Sequence, residues 1–116
     1  MSNIVIYHNP RCSKSRQTLT LLEQQGINPE IVEYLKTPPT TAILKDILQQ
    51  LDIEPRALLR KTEAIYKELE LADKSLSDEQ LIQAMSEHPK LIERPIVFNN
   101  GKAKIGRPPE SILTIL

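Results

Sequence analysis

The chain opens with an unbroken apolar run, Ile4-Val5-Ile6-Tyr7, of strand length and rich in β-formers, the pattern of a strand covered on both faces. Asn9-Pro10 breaks it. Leu19, Leu21 and Leu22, closed by Gly26, then predict a helix over about 13–25, since glycine is the usual residue just past a helix end. Ile31-Val32-Glu33-Tyr34-Leu35 reads as the next strand. Strand, helix and strand in so short a span make a βαβ unit, whose crossover sets the two strands parallel.

Pro38-Pro39 ends that unit, and the pattern changes period. Thr40 or Thr41 caps a helix whose Ile43, Leu44, Ile47, Leu48 and Leu51 share one 3.6-residue face. Pro55 starts a short helical segment through Leu59, and Thr62 is placed to cap another carrying Ala64, Ile65 and Leu69. Ser77-Asp78-Glu79-Gln80 has the form of a capping box before Leu81, Ile82 and Met85, so a helix runs to about Glu87, where His88-Pro89 stops it. The middle of the chain, about 40–92, is therefore an all-helical insertion. Pro95-Ile96-Val97-Phe98 and Lys102-Ala103-Lys104-Ile105 flank Asn99-Asn100-Gly101, a strong hairpin signal, and Pro108-Pro109 opens a final helix with Ile112, Leu113, Ile115 and Leu116 on its buried side. The order β-α-β, helices, β-β-α predicts an α/β fold, a thioredoxin-like mixed sheet with a helical insertion, as a single domain over 1–116.

Composition narrows this picture. The chain has 116 residues, 40% of them hydrophobic, enough to bury one core without a disulfide framework or a metal. Fifteen Lys and Arg balance fifteen Asp and Glu, which argues against a general nucleic-acid binder. No apolar run approaches the roughly 20 residues of a membrane helix, and the stretch Met1-Ser2-Asn3-Ile4 lacks the basic region of a secretory leader. A cytoplasmic protein is expected, and because the apolar pattern demands no partner subunit, a monomer. The neutral total hides a segregation: 94–107 carries Arg94, Lys102, Lys104 and Arg107, and 1–16 carries Arg11, Lys14 and Arg16, both without an acid, while fourteen acids and eight bases lie between. If the basic ends meet, they make a local anion site on a neutral protein; otherwise they only solvate a surface.

The single cysteine decides the chemistry. Cys12 cannot form an internal disulfide, and with only His8 and His88 beside it a structural metal site is poorly furnished, so no metal is expected. It falls between the first strand and the first helix, where helix N–H groups and neighbouring Arg11, Lys14 and Arg16 favour thiolate. A lone cysteine elsewhere is most often a small buried apolar residue; this one sits among polar and basic neighbours. Ser15 stands where a dithiol oxidoreductase has its second cysteine, and Thr18 where a cysteine phosphatase needs arginine, so both of those sites fail. Arg60, Arg94 and Arg107 each lie at an element junction, and guanidinium forks there match the oxygens of a tetrahedral anion, although any one of them alone is more often a surface residue. His8 can hydrogen-bond the Cys12 loop or equally cap a helix or face solvent. X-Pro bonds in folded proteins are cis only about 5–6% of the time, so spacing alone leaves Arg94-Pro95 trans.

Five segments stand out together: Ile6-Tyr7-His8-Asn9-Pro10-Arg11-Cys12-Ser13-Lys14-Ser15-Arg16, Thr37-Pro38-Pro39, Arg56-Ala57-Leu58-Leu59-Arg60, the run from His88 through Arg94-Pro95 to Val97, and Gly106-Arg107-Pro108. Through them nearly the whole chain resembles the glutaredoxin-coupled arsenate reductase family. The resemblance implies that Cys12 is the nucleophile and that Arg60, Arg94 and Arg107 bind and orient the oxyanion. It also implies that His8 and Ser15 support the thiolate and that Pro95 is a cis proline beside the site. No bound cofactor is implied: glutathione is a co-substrate and glutaredoxin a partner, and arsenate or a similar oxyanion is reduced through a cysteine–arsenic–glutathione intermediate. Two alternatives stand beside it, a glutathione-dependent oxidoreductase of another substrate and a non-catalytic thioredoxin-like regulator. The latter uses a Cys-x-x-Cys switch that Ser15 removes here.

Overall fold

A computed structural model of the chain describes residues 4–116; Met1, Ser2 and Asn3, part of the stretch weighed above against a leader, lie outside the described residues. The chain forms two units, one joining the segment through Thr37 to Arg94–Leu116, the other Pro38–Glu93.

In the first unit, β1 (Val5–Tyr7), α1 (Ser13–Gln24) and β2 (Glu30–Val32) form the expected βαβ crossover, with β1 and β2 parallel. β3 (Ile96–Asn99) pairs antiparallel with β1 and with β4 (Lys102–Ile105), giving the sheet order β2-β1-β3-β4. Ile6 is opposed by Ile31 and Val97, and a core of Ile4, Ile6, Leu22, Val97 and Ile112 forms with Leu19, Leu21, Ile27 and Ile115 packed against it. Each such buried aliphatic side chain contributes about 1.5–3 kcal/mol. The other side of β1 is aromatic: Tyr7 stacks on buried Tyr34 at 6.1 Å and meets Phe98 edge-on at 5.0 Å. The hairpin turn is the one Asn-Gly prefers, with Asn100 and Gly101 both left-handed at φ 52° and 77°.

Two expectations change. The second strand stops at Val32 rather than running to Leu35, because β1 ends at Tyr7 and the last ladder bond is His8 N–H to the Val32 carbonyl at 2.9 Å. Beyond it the chain turns, with Lys36 and Thr37 donating back to the Glu33 carbonyl. The final segment, Pro109–Ile115, is a 3-10 helix and not an α-helix. Its inward residues Pro109, Ile112 and Ile115 recur every third position, the period of a three-residue turn, which leaves Leu113 and Leu116 exposed.

The second unit holds α2 (Thr41–Leu51), α3 (Pro55–Leu58), α4 (Ala64–Glu68), α5 (Asp78–Glu87) and a 3-10 turn at Pro89–Leu91. Thr40 caps α2 by accepting from Ile43 N–H at 3.2 Å, and the capping box at α5 is complete, Ser77 and Gln80 each bonding the other's amide. Of the α2 face, Leu44, Ile47 and Leu48 are buried, whereas Ile43 is exposed. α4 begins after Glu63, one residue later than the Thr62 cap implies, and without a side-chain cap. The Leu58–Leu59 and Ile92–Glu93 segments are joined by a bridge between Leu59 and Ile92.

Candidate active site

Tyr7, Ile96 and Ile105 lie in register across β1, β3 and β4. The segments adjoining these three residues, 8–12, 94–95 and 106–107, therefore meet at one end of the sheet. That register brings Cys12, Arg94 and Arg107 together although 95 positions separate the first from the last.

The loop before Cys12 is built by local turns. Asn9 accepts Cys12 N–H on its carbonyl at 3.0 Å and Arg11 N–H on its side-chain oxygen at 3.0 Å, a double turn that short Asx residues favour. Ser15 is fully buried, and its hydroxyl takes Asn9 N–H at 3.0 Å and meets His8 Nδ1 at 2.6 Å. Burial pushes the His8 pKa down, Glu33 opposes this and Arg16 adds to it, so the imidazole is held below its ordinary titration range. A neutral ring with its proton on Nε2 can accept the Ser15 hydroxyl proton at Nδ1, which satisfies both groups. His8 and Ser15 thus brace the loop, and Cys12 stands at the N-cap of α1 with extended backbone.

Two arginines reach the sulfur. Arg107 directs one terminal nitrogen at Cys12 Sγ, 3.7 Å away, and is itself fixed by its Nε donating to the Arg94 carbonyl at 2.8 Å. Burial pushes the Cys12 thiol up, but this is outweighed by the Ser15 amide, by the Arg94 guanidinium through both a hydrogen bond and its charge, and by the Lys14 amide. The net direction is below the ordinary cysteine value, toward thiolate. The sulfur belongs to a half-buried residue rather than a sealed one, and Arg11, Lys14 and Arg16 around it are exposed. Ser15 acts on the sulfur through its backbone amide, while its hydroxyl is committed to His8 and Asn9.

The peptide bonds before Pro95 and before Pro108 are both cis; for the first, spacing favoured trans and the family likeness favoured cis. Gly106 was not among the site candidates, yet it closes this arrangement: it donates to the Pro95 carbonyl at 2.9 Å. A Cβ on it would lie 2.5 Å from Thr18 Oγ1 and 2.8 Å from Pro95 Cγ. Gly106→Ala is expected to lower stability by about 1–3 kcal/mol through overpacking, read as a fall in the denaturant midpoint; an unchanged midpoint would show that the contact relaxes freely. The sequence signal for it was Gly106-Arg107-Pro108.

Arg60 belongs to the Pro38–Glu93 unit. There its guanidinium binds Glu93 at 2.8 Å and Glu63 at 3.4 Å, so its charge is balanced by acids of that unit. His88 ends α5, as its position before Pro89 implied. No cluster of three or more potential metal ligands occurs among the described residues. Nor is any helix among them long and apolar enough to cross a membrane.

A mixed α/β scaffold that presents one activated thiol at a helix start, with two guanidinium groups beside it, defines a thioredoxin-like single-cysteine site suited to an anionic substrate. The model of the ArsC family matches residues 7–115, and the chain belongs to that family. It is similar to YfgD of Escherichia coli K12, at 60% identity over 97% of this chain and 96% of the relative. It is also similar to an arsenate reductase of Neisseria meningitidis serogroup A, at 50% identity over 100% of both chains. Among solved structures, an arsenate reductase from Vibrio cholerae has a TM-score of 0.97 at 59% identity, covering 98% of each chain.

Proposed function

We propose that this chain is an arsenate reductase that uses Cys12 as nucleophile and draws its electrons from glutathione and glutaredoxin. The observation that carries the proposal is the Arg107 contact to Cys12 Sγ, with Arg94 acting on the same sulfur. Two adjacent cations favour the thiolate and offset the repulsion that an arriving oxyanion would meet from it. Arg60, already shared between Glu63 and Glu93, stands in the proposed oxyanion set on the family resemblance alone.

In the proposed cycle the thiolate attacks arsenic, a sulfur–arsenic bond forms, and one arsenic oxygen leaves as water after taking up protons. Glutathione sulfur then replaces a second oxygen, again released as water. A glutaredoxin thiolate attacks the glutathione sulfur, the sulfur–arsenic electron pair stays on arsenic, and a mixed disulfide departs. Water frees arsenite from Cys12. In net terms one arsenate and two thiols give one arsenite, one disulfide and one water, so arsenic gains two electrons and the two external sulfurs lose them. In this proposal the second thiol that the chain lacks arrives from outside, and the protein works as a monomer in a reducing cytoplasm that keeps such thiols reduced.

The test is NADPH oxidation in a mixture of arsenate, glutathione, glutaredoxin and glutathione reductase. Oxidation is expected to require arsenate, this chain and glutaredoxin together. A rate indifferent to arsenate would overturn the proposal in favour of thiol exchange on another substrate.

A further inference from the structure

The face of α1 that the core leaves open continues from the Cys12 loop. Ser13, Arg16, Gln17, Thr20 and Gln24 recur along it at helical spacing and, with Glu110, line a groove of about 450 Å³. That volume lies within the range of small-ligand sites. The helix face is roughly 16 Å long, enough for an extended tripeptide of roughly 10 Å. Its polar groups are available: Gln17, Thr20, Gln24 and Glu110 make no side-chain hydrogen bond or ion pair among the described residues. Arg16 spends one terminal nitrogen on the Pro10 carbonyl at 2.9 Å. The groove therefore pairs an exposed cation near the cysteine end with an uncommitted carboxylate, separated by neutral amide and hydroxyl groups.

We infer that this groove seats the external thiol, a small peptide-like thiol bearing both a carboxylate and an ammonium group, with Arg16 taking the carboxylate and Glu110 the ammonium. The inference rests on the proposed reductase cycle, which requires a second sulfur beside Cys12, and it adds where that sulfur's carrier binds. Holding the carrier along α1 makes its attack effectively intramolecular, a large advantage over collision from bulk solvent. A competing cavity on the other side of the cysteine loop, of about 330 Å³, contains Arg11, Glu33 and Lys36. There the carboxylate and the lysine are 3.5 Å apart and neutralise each other, so it offers less to a ligand carrying both charges.

The test uses the intact chain and S-methylglutathione, which carries the recognition groups but cannot react. Titration followed by amide NMR is expected to shift Gln17, Thr20 and Gln24, and Thr20→Trp and Glu110→Lys each to weaken binding at least about tenfold while keeping the wild-type spectrum elsewhere. In the coupled assay, with glutaredoxin in excess, the same variants raise the KM for glutathione by a similar factor and leave that for arsenate within about twofold. Lys36→Glu serves as the control and leaves both constants unchanged. Shifts confined to the Arg11–Glu33–Lys36 cavity, or binding unaffected by both α1-face variants, would overturn the inference. If the wild-type chain shows no arsenate-dependent turnover, the reductase proposal fails by itself, and the titration still decides whether the groove takes the thiol.

Discussion

Cys12→Ser is expected to abolish arsenate-dependent turnover, by at least about a thousandfold, while leaving the fold intact or slightly more stable. The two halves of that expectation have separate causes. A serine hydroxyl is hardly ionised near neutral pH, so the cationic groups that act on the Cys12 sulfur have no anion to stabilise, and oxygen cannot replace sulfur in thiol exchange. Position 12 is nevertheless an N-cap, with φ −93° and ψ 124°, and the cysteine makes no side-chain capping bond there. Serine is among the best capping residues, and its smaller oxygen can close a capping bond with the Ser15 or Lys14 amide, both of which act on the sulfur without closing one. Activity and thermal midpoint should therefore move independently. Turnover above about one per cent of wild type would exclude Cys12 as the nucleophile.

The local parts of this fold were readable from the chain. The capping box at Ser77, the Asn-Gly hairpin and the Gly26 helix end each depend on residues within a few positions of one another, so their chemistry shows in the order itself. What escaped depends on partners far away. β2 ends at Val32 because β1 runs out of residues to pair, a fact written in Asn9-Pro10 and not in β2. Arg60 reads as an anion donor from its junction alone, and its pairing with Glu93, 33 positions away, is invisible in the local order. Ser15 acts on the sulfur through its backbone amide, and that its hydroxyl goes instead to His8 and the Asn9 amide is not written in the local order. Charge segregation gave the best long-range hint, since the acid-free stretch 94–107 does supply both Arg94 and Arg107 to the sulfur that the acid-free stretch 1–16 carries. It could not say that Arg107 is held in place through the Arg94 carbonyl, because backbone acceptors leave no trace in composition.

Arg94→Gln is the second large expected loss, and its pH dependence separates two roles. Glutamine keeps a polar side chain but removes the charge that, with its hydrogen bond, lowers the Cys12 thiol against the upward push of burial. The variant thiol should therefore titrate at higher pH, and below that titration the thiolate fraction falls about tenfold for each pH unit. Its deficit relative to wild type should thus deepen on acidification and shrink at alkaline pH. A second deficit, independent of pH, follows from the lost oxyanion donor, for which a factor of about 10²–10³ in kcat is the ordinary scale. Stability gives an independent check of sign. A thiol lowered in the folded chain contributes stability that is fully present above the unfolded cysteine value of about 8.5 and is lost as pH falls through the folded value, so that contribution shrinks in Arg94→Gln at alkaline pH and is absent from both proteins in acid. The rate of iodoacetamide alkylation against pH reads the thiol directly. A midpoint in Arg94→Gln equal to that of the parent would sink the electrostatic role assigned to Arg94, and an alkaline shift with kcat/KM for arsenate equal to wild type at alkaline pH, where both thiols are ionised, would confine that role to the sulfur and leave the oxyanion to Arg107.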